Sequence, residues 1–392
     1  MWHLRGDKFL QLAIVIANLA IHVAWAQSAR RGSLSLTTQD RLEDAGWWPT
    51  KGDSARNKFV GAATCKECHG DVATLQETTP MYHAAVRAAQ SGVLETHKQL
   101  SFRDALYQYS LAHTAPGVMY SVSDGVNSAM RNVEWAFGAG NVGQTYLLEK
   151  DGAYTESHLS YYSALSALDI TIGQEADAPS EMDKALGQRL NHDTAQHCFS
   201  CHTTLAVASN VFEPEKAIPG VTCEACHGPG AKHVAAMRTH HSEQASSNPI
   251  MNPEHLSPSD SVDFCGACHR TWSDVAMQMP GNIGVASVRF QPYRLEQSRC
   301  WGKNGDARIT CIACHDPHKP LVRESRSYDS QCLACHVTKG QPQQRAAMAP
   351  ACKASASNCV SCHMPKYEVP QSHTTFTDHY IRVVRAAVDF PS

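Results

Sequence analysis

The pentapeptide C-x-x-C-H occurs seven times and uses fourteen of the sixteen cysteines. The copies are Cys65-Cys68-His69, Cys198-Cys201-His202, Cys223-Cys226-His227 and Cys265-Cys268-His269, followed by Cys311-Cys314-His315, Cys332-Cys335-His336 and Cys359-Cys362-His363. On a helical turn, residues i, i+3 and i+4 share a face. Two thiols at that spacing can add across the two vinyl groups of one haem, and the adjacent histidine then lies under the iron as proximal ligand. Zinc is the competing reading, because C-x-x-C pairs also build zinc ribbons. A zinc ribbon does not require a histidine after each second cysteine, and here all seven copies have one. A disulfide scaffold makes no such demand either. The motifs therefore predict seven covalently bound c-type haems, with the fourteen cysteines as carriers and His69, His202, His227, His269, His315, His336 and His363 as proximal ligands.

This cofactor load constrains the fold. Six of the seven motifs lie between Cys198 and His363, at about 28 residues per haem, too little chain to build a separate apolar core for each. The haems themselves are expected to form the core, in contact with one another. Two cysteines remain, Cys300 and Cys352, and in an exported chain they form a candidate disulfide; two free thiols are the alternative.

Export is the reading of the N-terminus. Arg5 and Lys8 precede an apolar stretch from Phe9 to Ala24, and Ala24-Trp25-Ala26 reads as a cleavage site, so residues 1–26 are expected to be a signal peptide cleaved after Ala26. Gln11, Asn18 and His22 within the stretch argue against a permanent membrane anchor. No other segment is long and apolar enough to span a bilayer, so the mature chain is expected to be periplasmic or otherwise exported. With 34 Lys and Arg against 37 Asp and Glu, the formal charge is −3. The absence of a basic excess argues against nucleic acid as a partner.

The chain has 22 histidines. Seven are proximal, and His3 and His22 leave with the leader. Thirteen remain, enough to supply a second imidazole to every haem. The favoured distal ligands are His83, in the stretch TPMYHAAVRAAQ read as helical; His233, after the Gly228-Pro229-Gly230 bend; His318, which Pro317 can aim at a different haem; and His373 and His379 in QSHTTFTDHYIR. His113, His158, His192 and His197 are weaker candidates. His240, His241 and His255 fall in a polar stretch and read as solvated. Met81, Met119, Met279 and Met364 could ligate iron, but methionine more often fills a core.

Along the chain, residues 27–57 read as a polar lead-in in which Trp47, Trp48 and Pro49 can dock on the body, and residues 58–90 as a first haem module. Residues 91–190 carry no motif and turn to a β pattern, with Asp124-Gly125 and Asp151-Gly152 as hairpin turns. The segment EWAFGAGNVGQTYL suggests a bulge or a close backbone approach. Residues 191–392 read as a six-haem cytochrome domain. The expected fold is mainly α, with extensive irregular structure, a small β-hairpin subdomain and a haem-packed core.

Longer blocks resemble the multihaem c-type cytochromes related to cytochrome c-554, the cytochrome c-552/4 domain family. FVGAATCKECH followed by TPMYHAA is similar to the opening of that domain, and WAFGAGNVGQTYLLEKDGAYTE to its β segment. PGVTCEACHGPGAKH, FCGACHRTW, RFQPYRLEQSRCW, ARITCIACHDPH and CVSCHMPK with FTDHYIR resemble its later blocks. The resemblance spans residues 58 to 385. It implies periplasmic electron transfer, haems mostly with two histidine ligands, and an α-rich fold with little sheet. By motif it makes His83, His233 and His318 distal ligands, with one of His373 and His379 as another. Many members continue into tetratricopeptide repeats; no such repeat is expected here.

The leading functional expectation is an electron carrier that exchanges single electrons with donor and acceptor proteins. The alternative is a multihaem oxidoreductase acting on nitrite, hydroxylamine or another small nitrogen or sulfur species at a haem with an open distal position. Arg270, Arg289, Arg294, Tyr293 and Tyr380 could serve such a site, although propionate pairing or packing is the plainer role for each. A third class is a conducting subunit of a surface filament.

Overall fold

A computed structural model describes residues 52–239, 250–278, 284–301, 309–336, 352–355 and 357–384. The leader with its cleavage site, Trp47, Trp48, Pro49, His240, His241 and Met279 lie outside the described residues.

The motif-free segment is the largest regular element. Strands β1 (Ala85–Arg87), β2 (Gln99–Arg103), β3 (Gln108–Thr114), β4 (Gly117–Ser123) and β5 (Ser128–Phe137) are followed by β6 (Gly143–Lys150), β7 (Ala153–Tyr162), β8 (Ala167–Ile170) and β9 (Gly187–Arg189). They form one nine-stranded antiparallel sheet in the order β2-β3-β4-β5-β6-β7-β8, with β1 on β5 and β9 on β7. Strand β2 returns towards β8, so the sheet curls nearly into a barrel.

This corrects the expectation of a mainly α fold with a small hairpin subdomain. Both Asp-Gly hairpins are present. Asp124 Oδ1 accepts the Val126 and Asn127 N–H groups, and Asp151 and Gly152 both take positive φ, at 53° and 77°. Local sequence did not mark the rest of the sheet. Strand β5 is ten residues long and pairs along one edge with β4 first and then with β1. Strand β7 likewise takes β9 near its start and β8 near its end. The stretch read as a helix around His83 is instead a turn leading into β1, because Ala85–Arg87 pairs with Trp135–Phe137 some fifty residues away. The glycine-rich segment after β5 does hold a close approach: a Cβ on Gly138 (φ +103°) would lie 2.6 Å from the Gly143 carbonyl oxygen.

Alternation along these strands builds two apolar layers. Val118, Tyr120 and Val122 on β4 face Leu111, Tyr146, Leu148 and Leu159 inside the curl, closed by Leu94 and Leu186. A register shift between Val133 and Trp135 turns Trp135 and Phe137 to the other side. There, with Leu147 and Tyr154, they pack on Ala195 and Phe199 of helix His192–His202. That helix ends on the second C-x-x-C-H motif, so the outer face of the sheet positions a haem-binding site. The core is thus not made of haem alone, since the sheet carries an apolar interior of its own. The later motifs sit on short helices joined by irregular chain, and their described apolar clusters are small: Phe264 with Ala267, and Val262 with Leu295 and Trp301.

Candidate haem centres

The motif backbones adopt the turn their spacing predicts. Helices Cys223–His227 and Cys359–His363 consist of the motif alone, while His192–His202 and Pro258–His269 end on theirs. In the first, fifth and sixth motifs the histidine N–H bonds the carbonyl of the first cysteine at 2.9, 3.0 and 3.0 Å.

Three motif histidines face a second histidine. The ring centres of His69 and His233 are 6.3 Å apart at 22°. Those of His227 and His318 are 6.0 Å apart at 9°, and those of His315 and His379 are 6.2 Å apart at 44°. Two imidazoles bonded to one metal ion at about 2 Å each place their ring centres about 6 Å apart, whereas rings in direct stacking contact lie closer. The residues therefore fit an iron held between two imidazoles. Each distal partner follows a different motif from the one it faces: His233 follows the third and faces the first, His318 follows the fifth and faces the third, and His379 follows the seventh and faces the fifth.

Second contacts fix the tautomers. His227 Nδ1 lies 2.9 Å from the Met251 carbonyl, His202 Nδ1 3.0 Å from that of Ala84, and His363 Nδ1 2.8 Å from that of Arg382. His379 Nδ1 lies 3.0 Å from the Thr377 carbonyl. A carbonyl can only accept, so each Nδ1 carries the proton and Nε2 presents its lone pair to a metal. Burial pushes the His227, His269 and His315 imidazoles below their ordinary pKa. His379 is pushed down to about 4, again chiefly by burial. All four are therefore neutral, as ligation requires.

Other predicted ligands stand elsewhere. His83 is exposed, edge-on to Tyr82. His373 Nε2 lies 2.8 Å from Asp169 Oδ2, and the ring packs edge-on to Tyr162. Of the C-terminal pair it is thus His379 that meets a motif histidine. Among the weaker candidates, His113 contacts the Leu94 carbonyl, buried His158 contacts Gln174, and His192 pairs with Asp193. His197 accepts a hydrogen bond from Arg270 Nη1 at 2.8 Å. That placement has no local sequence marker, because it depends on docking the second motif against the fourth.

The two motifs flank a cavity of ≈ 260 Å³ lined by His197, His202, His269, Arg270, Arg289 and Phe290. Two guanidiniums and no carboxylate line it, together with Cys198, Cys201 and Cys268, so its wall combines motif thiols with groups suited to negative charge such as the propionates of a haem. Cysteines of different motifs also meet. Cys65 neighbours Cys223, Cys201 neighbours Cys268, Cys265 neighbours Cys311 and Cys332 neighbours Cys359. Cys300 is half-buried and Cys352 exposed, and the two are not joined to each other among the described residues. Cys300 lies near Cys332 and Cys335 instead.

Thiol pairs spaced for thioether attachment and imidazole pairs spaced for iron define the class of proteins that carry haem covalently. Residues 157–228 match the family model described as cytochrome c554 and c-prime. With the repeated motifs, this match likens the chain to the multihaem c-type cytochromes related to cytochrome c-554. The crystal structure of outer cell wall cytochrome OcwA aligns with a TM-score of 0.45 at 16% identity, over 83% of this chain and 80% of that one. No curated protein matches the chain.

Proposed function

We propose that this protein is an exported heptahaem cytochrome that carries single electrons along a branched row of closely packed haems. The three imidazole pairs at iron-bridging distance carry the reading. When bound, haem supplies a one-electron iron couple. The chain attaches it through the motif thiols, supplies neutral Nε2 ligands and raises ligand basicity through the Nδ1–H bonds to carbonyls.

The cysteine contacts support an order. The first motif packs against the third, the third lies beside the fourth through Cys226 and Cys265, and the fourth neighbours the second, through Cys201 and the Ala267 carbonyl, and the fifth. The fifth neighbours the sixth through Cys314 and Cys332, and the sixth touches the seventh. The fourth motif is then the junction and the second a branch end. Propionates add negative charge to a chain already at −3, which favours partner proteins with a basic docking face. Export rests on the leader sequence. Among the described residues, no helix is long and apolar enough to cross a membrane.

The arginine-lined cavity beside His202 favours a second reading, in which the branch end is an oxidoreductase site for a small anion. Two measurements decide. Haem staining with intact mass is expected to show seven covalent haems on a chain starting at Gln27; fewer would overturn the heptahaem assignment. Low-temperature EPR of the oxidised protein is expected to show low-spin haem throughout. A ferric high-spin component of one haem equivalent would move the assignment to the enzyme.

A further inference from the structure

The second residue of the third motif, Glu224, is 1% exposed, yet an attachment motif needs nothing at that position. Its carboxylate accepts three backbone N–H groups. Val60 donates to Oε1 at 2.9 Å, Gly61 to Oε2 at 2.8 Å and Gly230 to Oε1 at 2.8 Å. Gly61 leads into helix Ala62–Lys66, which carries Cys65 and ends three residues before His69. Gly230 leads into helix Ala231–Thr239, which carries His233. One buried carboxylate thus joins the starts of the two segments that bring His69 and His233 to 6.3 Å.

We propose that Glu224 is the positioning residue that holds His69 and His233 at ligating distance across a single haem. The inference rests on the haem reading above.

Charge-assisted bonds to a buried carboxylate are short and strong, and a surface tie between the segments is weak by comparison. Arg238 reaches Glu67 at 2.9 Å, but the two side chains are 64% and 60% exposed, and exposed pairs contribute little. The fit at Glu224 is also tight. A Cβ on Gly230 would lie 3.0 Å from Val60 Cγ2 and 3.2 Å from Glu224 Oε1, so the chain passes there as glycine. Glutamine would keep the size, but its amide NH2 would confront a backbone donor, break at least one bond and leave buried donors unpaired.

The test uses the full holoprotein. Haem content of the wild type is measured first, and an absence of covalent haem there would defeat the haem reading before any variant is made. Glu224→Gln is then expected to keep its haem content while one haem equivalent passes from low-spin to high-spin in EPR. Added imidazole is expected to restore the low-spin form, as it should in a His233→Gly control. A merely structural role for Glu224 would not give a single-haem change rescued by a free ligand. Unchanged low-spin haem in Glu224→Gln overturns the proposal. If that variant does not accumulate, Gly230→Ala decides: it presses on the same contact without altering charge, and the same single-haem change is expected in part of the population. An unaltered low-spin spectrum in Gly230→Ala overturns the proposal equally.

Discussion

Arg294 is 1% exposed and bonds Asp378, itself fully buried, through Nε and Nη2 at 2.9 Å each. Burial works to raise the Asp378 carboxyl. Bonds from Arg294, the Tyr380 N–H and Arg382 outweigh it and hold the group below its ordinary pKa. Asp378 directly precedes His379, which faces His315, and Arg382 lends its carbonyl to His363. The buried pair therefore fixes the chain that presents both of these groups. Arg294→Gln removes the fully buried charged partner of that carboxylate and is expected to cost about 3 kcal/mol, measured by denaturant unfolding of the holoprotein; a loss under 1 kcal/mol would contradict this role. Glu156 presents the opposite case. Burial raises its carboxyl, with a smaller opposing bond from Gln174. A raised folded pKa gives stability that is complete below the unfolded pKa and lost as pH rises through the folded one. Glu156→Gln is therefore expected to unfold at the same urea concentration as wild type near pH 4 and at a higher one near pH 8. A variant less stable than wild type at pH 8 would refute the assignment.

At the level of elements, two glycines with similar backbone conformation predict different outcomes. Gly220 has φ +71°, and a Cβ there would lie 1.7 Å from the Tyr82 carbonyl oxygen. Backbone cannot yield that far, so Gly220→Ala displaces the turn at 82–84, including the Ala84 carbonyl that orients His202. A stability loss of more than about 1 kcal/mol is expected, together with a shifted reduction potential for one haem in spectroelectrochemical titration. Gly125 has φ +90° but open space around it. Gly125→Ala is expected to cost only the turn strain, about 1 kcal/mol, and to leave every potential in place. Equal shifts in both variants would show that the turn at 82–84 does not couple to a haem.

On the scale of the molecule, the sheet and the motif region are stabilised differently. Leu111, Tyr120, Tyr146, Leu148 and Leu159 bury one another within the curl and include no motif residue. The described clusters around the later motifs are small, which leaves the haems to fill that interior. Protein made without haem attachment is thus expected to keep its β-sheet circular dichroism and slow amide exchange over 99–170, while helices such as Pro258–His269 exchange freely. Cooperative loss of both regions would contradict the division.

The sequence by itself marked the seven C-x-x-C-H motifs, because a thioether motif is complete within five residues and needs only a helical turn. It also marked His233, His318 and His379, whose bends and neighbouring motifs are local features, and both Asp-Gly hairpins. Only the tertiary structure decided which histidines face each other, why His379 rather than His373 meets a motif, and that His83 stands in a turn beside a strand. The facing imidazoles are dozens to more than a hundred residues apart in sequence, and no local periodicity encodes such a meeting. The sheet was under-read for the same reason. Strands β1 and β9 exist only through pairing with β5 and β7, and the register shift that presents Trp135 and Phe137 to the second motif is a property of two strands together.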